Sequence, residues 1–467
     1  MTQLVVDAAH WQTRLEALAD RFGVPGAQVG ILRTEADAAD DHVDILTHGV
    51  SRVATGQPVT ESTVFQIGSI TQVWTATLAM QAIDEGLLTL DTRVCEVLPE
   101  LTLADKAARE QLTVSHLLTH TNGVDGDVFS DTGRGDDALE RYVETLHSAQ
   151  QVSPVGETWS YSNTGFILLG RVIERVFGTT WDAAIRDRIA APLGLERTST
   201  LPEDALLQDT ALGHVVGLPH PVPAPVWAMP RSVGPAGLIN STAADLLAFV
   251  QAHLHRGTGL SGERLVSPES ADAMAAHQVD LPDRESLGDS WGLGWIRFSW
   301  LGERLLGHDG ATVGQHAFLR ILPSAGLAVT LLTNGGQSQD LFETLFREMF
   351  ADIAAIEAAP AFGPPGESVD LPLGDWQGTY RGAALQLDAF MDGTHPRMRL
   401  TMLGALADLD PEPVQEYDLT AVNGDDTRLV YAIRFRGGET WSPVTFYRTD
   451  AGRAYAHFGA RALPAVE

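Results

Sequence analysis

Lysine is almost missing from this chain of 467 residues: Lys106 is the single one, and the remaining basic residues are arginines. With 31 basic against 61 acidic residues the formal net charge is -30. Such a surface repels phosphate backbones and anionic headgroups, so neither nucleic acid nor membrane is expected as a partner. Cysteine is just as scarce. Cys95, in the apolar context TRVCEVLPEL, cannot close an intrachain disulfide and is expected as a buried, inert thiol. No apolar run approaches the roughly 18 residues of a membrane span. The opening MTQLVVDAAHWQTRLEAL carries neither the basic nor the apolar segment of a signal peptide, which makes the cytoplasm the expected location. There is no H-E-x-x-H, phosphate loop or dinucleotide fingerprint. His253 and His255 lie two apart on an expected helix and face different directions, a poor metal pair. No cofactor and no metal are expected.

What remains is an ordinary globular composition, 44% hydrophobic and 20% charged, on a chain long enough for one large core and one smaller module. Trp11, Leu15, Leu18 and Phe22 recur at helical spacing until Gly23, Pro25 and Gly26 stop them. Two β-rich runs, AQVGILRT and VDILTHGVSRV, follow as a strand pair. ITQVWTATLAMQAIDEG, TVSHLLTH and NTGFILLGRVIERVFG read as helices, and RLLGHDGATVGQHAFLRILPSAGLAVTLLTNGG as three strands parted by Gly and Pro turns. Helices set apart from a mostly antiparallel sheet that both ends of the segment help to build predict an α+β fold. AAIEAAPAFGPPGESVDLPL reads as a linker. Beyond it, Met398, Leu400 and Met402 alternate with Arg397, Arg399 and Thr401, and Ile433 and Phe435 with Arg434 and Arg436, predicting a small antiparallel barrel or sandwich. The expected division is residues 1–355, a linker over 356–372, and 373–467.

Three short motifs carry the chemistry. GSITQVW places Ser69 at a helix start with Gln72 three residues on. Taken alone this is a capping box, in which the Ser hydroxyl and the Gln side chain satisfy orphan N–H groups. WSYSNTGF offers Tyr161 and Asn163 two residues apart, and GHDGATVG offers His308 ahead of Gly310, where the absent side chain permits close approach. Each motif is weak by itself, and their order in one chain is what gives them weight.

In that order, S-x-x-[KQ], Y-x-N and [KH]-x-G, the chain resembles the serine β-lactamase and penicillin-binding-protein superfamily, in its class C-like branch of esterases, D-aminopeptidases and CubicO-type peptidases. FQIGSITQ, TVSHLLTHTNGV, PVGETWSYSNTGFILLG and SVGPAGLINSTAADLLAF carry the likeness over about residues 10–350. WQGTYRG and AYAHFGAR resemble the lipocalin-like module some of those peptidases carry. The resemblance implies a β-lactamase-like domain followed by a lipocalin-like β-barrel. It makes Ser69 the acyl-accepting nucleophile, with the N–H groups of Ser69 and Ala311 as the oxyanion hole. It makes Tyr161 the proton-transfer group, Asn163 and Gly310 substrate-facing positions, and His308 the occupant of the family's KTG lysine position. The implied activity is that of a serine hydrolase or transacylase on a small ester, amide or D-peptide. A homo-oligomer in which the extra domain caps a neighbour's cleft is compatible with the CubicO likeness.

Gln72 departs from the pattern. The S-x-x-K lysine acts as base or as the charge that keeps the tyrosine ionisable, and glutamine does neither. A phenol near its reference pKa of about 10 is ionised to only about one part in a thousand at pH 7. Three accounts stand open: a lysine replaced to trap a substrate or acyl state, a natural enzyme whose base is His308, Tyr161 or a substrate amine, and a pseudoenzyme that binds a ligand without turnover. Two further stretches stand out. VDGDVFSDTGRGDD puts Asp125, Asp127, Asp131, Asp136 and Asp137 on a glycine-rich loop, either a cation-preferring substrate wall or a solvated loop. LPHPVPAPVWAMP, residues 218–230, is a stiff lid or a plain ordered loop.

Overall fold

A computed structural model describes residues 4–35, 38–215, 221–367, 369, 371–403, 412–435 and 440–466. Its largest element is a nine-stranded antiparallel sheet. Gly26–Arg33 is its third strand, flanked by His42–Arg52 on one side and by Leu327–Thr333 on the other. Beyond Leu327–Thr333 come Gln315–Leu322, Glu303–Thr312 and Ile296–Trp300 in turn. The expected strand pair and the three later strands thus meet in one sheet.

Alternation along Gly26–Arg33 sorts its side chains between two layers. Val29 and Ile31 join a core with Trp11, Leu15 and Leu18 of the helix Ala8–Arg21 and Leu341, Phe342 and Phe346 of the helix Ser338–Ala354. Leu32 joins the core of the helical region on the other face. There the helix Thr71–Asp84 is buried from Thr71 through Ala82, so it runs through the interior instead of along a surface. It packs on Asn163–Phe177, which starts with the Ser162 hydroxyl accepting the Gly165 N–H at 3.0 Å and stops at the left-handed Gly178.

The C-terminal residues form a four-stranded sheet, Gly378–Arg381 to Val414–Asp418, and a five-stranded one, Thr420–Gly424 to Arg461–Pro464, both antiparallel. They share one core of Trp376, Tyr380, Met398 and Leu400 with Tyr431, Ile433, Phe446 and Phe458. Along one edge they are joined by the Tyr380–Ala465 bridge and the Val466 N–H to Thr379 O bond of 2.8 Å. Among the described residues the ladders remain two sheets and close into no single barrel. Met398 and Leu400 face inward as the alternation predicts. Phe435 is 42% exposed, because its strand ends at Ile433, and Arg436 lies outside the described residues.

Two smaller expectations change. Cys95 is half-buried on the short helix Val94–Val97. In the proline-rich stretch, residues 218–220 lie outside the described residues, while Trp227 donates its indole N–H to Ala211 O at 3.1 Å. No helix among the described residues is long and apolar enough to cross a membrane.

Candidate active site

Ser69 sits in the 3-10 turn Gly68–Ile70 that runs directly into Thr71–Asp84. Gly68 has φ +52°, and a Cβ on it would stand 2.5 Å from the Ala311 nitrogen. A Cβ on Gly310 would meet Ile67 O at 2.0 Å and the Ser69 nitrogen at 2.8 Å. Only glycine at both positions lets the serine turn press onto the strand Glu303–Thr312. The contact brings the backbone nitrogens of Ser69 and Ala311 to one place, the arrangement that two oxyanion-hole donors require.

Gln72 is fully buried. Its Nε2 donates to Asn163 Oδ1 at 3.1 Å and to Ala236 O at 3.5 Å. The capping-box reading is therefore overturned: Gln72 reaches across to the next helix, and neither Ile67 nor Ile70 at the helix start makes a side-chain cap bond. The 3-10 turn occupies the place where a cap would act. Gln72 Oε1 is buried and has no hydrogen-bond partner among the described residues.

Tyr161 lies in the loop before Asn163–Phe177, so the tyrosine and the asparagine reach the cleft from a loop and from the first turn of a helix. His120 holds that loop at two points: its carbonyl accepts the Ser160 N–H and its Nδ1 the Ser162 N–H, both at 3.0 Å. The His120 ring lies tilted against Tyr161 with centres 4.4 Å apart, on a backbone strained to φ +56°. Burial raises the Tyr161 phenol well above its ordinary value, opposed by the neighbouring Ser69 hydroxyl and by Arg461. The two hydroxyls are close enough for Ser69 to shift the phenol, yet Tyr161 Oη has no partner in good hydrogen-bond geometry among the described residues.

His308 packs its ring 6.3 Å from Tyr161 and 5.5 Å from Trp291. Its Nδ1 lies 2.7 Å from Asp309 O, which assigns the proton to Nδ1 and leaves Nε2 as a buried acceptor with no partner among the described residues. Burial lowers its pKa to about 4, so the imidazole is neutral at pH 7. His308 therefore brings no positive charge to the position the family gives to lysine. A groove of about 870 Å³ lies away from Ser69; it is lined by Asp309, which points to the opposite side of the strand from His308, and by Arg320 and Trp441.

The acidic loop divides: Asp131 and Asp136 are exposed to solvent, whereas Asp125 and Asp127 are partly buried and drawn toward Asn163 and Arg461. Asp127 accepts from Asn163 Nδ2 at 2.9 Å and from Arg461 Nε and Nη2 at 2.8 Å each. Burial alone would raise its carboxyl, but the Arg461 charge and these bonds hold it below its ordinary value. Asp125 accepts the Asp127 N–H at 3.2 Å, and burial raises its carboxyl. Arg461 follows the two-residue turn Gly459-Ala460, where both residues have positive φ, the conformation that suits a tight hairpin. The turn docks on the tyrosine loop, with Tyr161 N–H to Ala460 O at 2.9 Å and Ala462 N–H to Ser160 Oγ at 3.1 Å. Thr158 and Tyr447 share a 2.7 Å hydroxyl contact, and Glu157 binds Thr449, Tyr455 and Arg453.

Residues 11–351 match the family described as Beta-lactamase. The chain belongs to this family. It is 42% identical to penicillin-binding protein 4 of Amycolatopsis lactamdurans over 80% of its own length and 97% of that protein's. It is 29% identical to esterase EstB of Burkholderia gladioli over 63% of this chain and 81% of that one. Among solved structures, SurE superposes with a TM-score of 0.78 at 27% identity, covering 98% of this chain and 99% of SurE, and SurE with D-Leu superposes at 0.76. The β-lactamase family is one of serine hydrolases, and these relatives include an esterase and a penicillin-binding protein.

Within this β-lactamase fold the expected residues lie together: the Gly68-Ser69 turn presses on Gly310 and Ala311, Ser69 lies beside Tyr161, Gln72 bonds Asn163, and the His308 ring packs 6.3 Å from Tyr161. Sequence reasoning missed His120, Asp127 in its actual role, and Arg461. His120 stands in the phrase THTNG and Arg461 in HFGAR, where the Gly-Ala pair was the available sign of a tight turn. His253 and His255 go to separate partners, Thr77 and Asp41. Among the described residues no group of three or more His, Cys, Asp or Glu side chains gathers in a way that could hold a metal ion.

Proposed function

We propose that the chain is a serine hydrolase or transacylase that forms an acyl-Ser69 intermediate on a small ester, amide or D-peptide. The observation that carries this reading is the pressing of the Gly68-Ser69 turn against Gly310-Ala311, which sets a nucleophile beside two convergent backbone donors. Ser69 Oγ attacks the acyl carbon and loses its proton, and the carbonyl oxygen gathers charge against the amides of Ser69 and Ala311. The bond to the leaving group then breaks and the leaving group takes up the proton. Water or an amine attacks the ester in turn, yielding acid or amide and restoring Ser69. SurE having been solved with D-Leu supports a D-configured acyl or acceptor group.

A second reading, a binding protein without turnover, is favoured by one feature. With Gln72 neutral, Tyr161 raised and so protonated, and His308 lowered, none of these three side chains offers an ionised strong base at neutral pH. Intact-mass analysis with a panel of activated esters separates the two. This chain, Gln72→Lys and Ser69→Ala are compared. A Ser69-dependent acyl adduct on this chain or on Gln72→Lys supports the hydrolase reading; absence of an adduct on every variant overturns it. Turnover by Gln72→Lys alone marks Gln72 as the inactivating residue, and turnover by this chain itself makes His308 the next residue to replace.

A further inference from the structure

We propose that Arg461, reaching in from the C-terminal hairpin, supplies at Tyr161 the positive charge that position 72 lacks. The inference rests on Ser69 being the nucleophile. Besides the Trp159 and Trp291 rings, the hydroxyl, titratable and charged groups around Tyr161 are Ser69, His120, Asp127, His308 with Asp309, and Arg461. Burial lowers both histidines, leaving them neutral at pH 7. Of this set only Arg461 is a cation. Its guanidinium carbon stands 4.9 Å from the centre of the Tyr161 ring.

The hydrogen-bond geometry ties this charge to position 72. Gln72 donates to Asn163, Asn163 donates to Asp127, and Asp127 accepts both bonds from Arg461. Where a lysine at 72 would bring its ammonium to Asn163, this chain has a neutral amide at one end of a three-link chain and a guanidinium at the other. Asp127 binds the guanidinium through its N–H edge, leaving the flat face for the aromatic ring, the geometry of a cation–π contact. The backbone bonds at Ala460 and Ala462 fix that approach.

Arg461 is a positioning residue: it acts on the proton carrier and touches no reacting atom. When Tyr161 is ionised, its Oη accepts the Ser69 Oγ proton as the Oγ–acyl bond forms. The tetrahedral oxyanion collapses, the bond to the leaving group breaks, and the phenol proton passes to the leaving group. Arg461 favours the phenolate that starts this sequence, and Asp127 opposes it.

The two charges therefore make opposite predictions, which a purely structural clasp does not. The experiment measures the rate of Ser69 acylation by p-nitrophenyl acetate, by intact mass across pH 7 to about 10.5, a span chosen to approach the phenol's reference pKa. Arg461→Gln is expected to slow acylation by about tenfold or more, and Arg461→Lys to retain most of the rate. Asp127→Asn is expected to speed it by about threefold or more across that span. Since Arg461→Gln strands Asp127 and can loosen the hairpin, Asp127→Asn/Arg461→Gln is measured beside it and should stay slower than Asp127→Asn. In a Gln72→Lys background the Arg461→Gln loss should shrink to within about threefold, the ammonium having taken over. A rate for Arg461→Gln within about twofold of the parent, a slower Asp127→Asn, or an undiminished Arg461 effect beside Lys at position 72 overturns the proposal. No acylation of any variant, Gln72→Lys included, overturns the nucleophile reading itself and this inference with it.

Discussion

The two walls of the cleft are built on different terms. One wall comes from the β-lactamase fold: a serine turn, a buried glutamine, a tyrosine loop and a histidine strand, and at neutral pH it carries no positive charge. The other comes from a two-residue hairpin turn far along the chain and carries an arginine bound to a carboxylate. In the first wall, geometry suited to acyl chemistry survives while the expected charge is gone. In the second, charge is present on a scaffold that no motif of the first wall specifies. Most of the shape and the positive charge of this site thus come from separate parts of the chain, joined by the backbone bonds at Ala460 and Ala462 and by Asp127.

The sharpest way to break the comparison is to remove the one group both walls serve. Ser69→Ala should abolish acyl adduct formation with activated esters, read by intact mass, with the fold unchanged by circular dichroism. Next in size is restoring charge to the first wall: Gln72→Lys should accelerate Ser69 acylation by about a hundredfold, in the range contributed by a well-placed general base. An unchanged rate would mean that the first wall does not need the charge.

Acid should weaken the first wall before the second. The buried His120, His253 and His308 all have lowered pKa values, His253 and His308 to about 4 from the ordinary 6.5. The unfolded chain therefore binds more protons than the folded one between those values, and stability falls as pH drops through that window. Asp127 is depressed instead, so its contribution persists until the pH falls below the ordinary carboxylate range. Thermal melts from pH 7 down to about 4 should show Tm declining, and replacing His253 by Gln should flatten part of the decline. The smallest effect is expected at the hairpin turn. Ala460 has φ +63°, a left-handed conformation costing roughly 1 kcal/mol that glycine avoids. Ala460→Gly should raise Tm slightly, and Ala460→Val should lower it.

The same division governs what the sequence discloses. Helices and strands follow from periodicity, and Trp11, Leu15 and Leu18 fall on the buried side as their spacing predicts. Ser69, Tyr161, Asn163 and His308 are legible because each sits in a short local motif and their order along the chain is informative. Gln72 was legible as a departure but misread as a cap, since nothing local distinguishes a side chain that bonds back to its own helix from one that crosses to Asn163. Arg461 was out of reach for a different reason: its partner Asp127 is 334 positions away, and only the docking of the hairpin joins them. The acidic loop misled in the same way, because a carboxylate already neutralised by a distant arginine looks identical in sequence to a free one.

The backbone bond from Tyr161 N–H to Ala460 O carries a further consequence. It makes the amide of the tyrosine a reporter on the hairpin. While the turn is docked, this proton is shielded from exchange; when the turn lifts, the shield and the arginine leave together. Hydrogen-exchange kinetics at that one amide would therefore time how often the cleft is dismantled, and a ligand that bridges both walls would slow the clock.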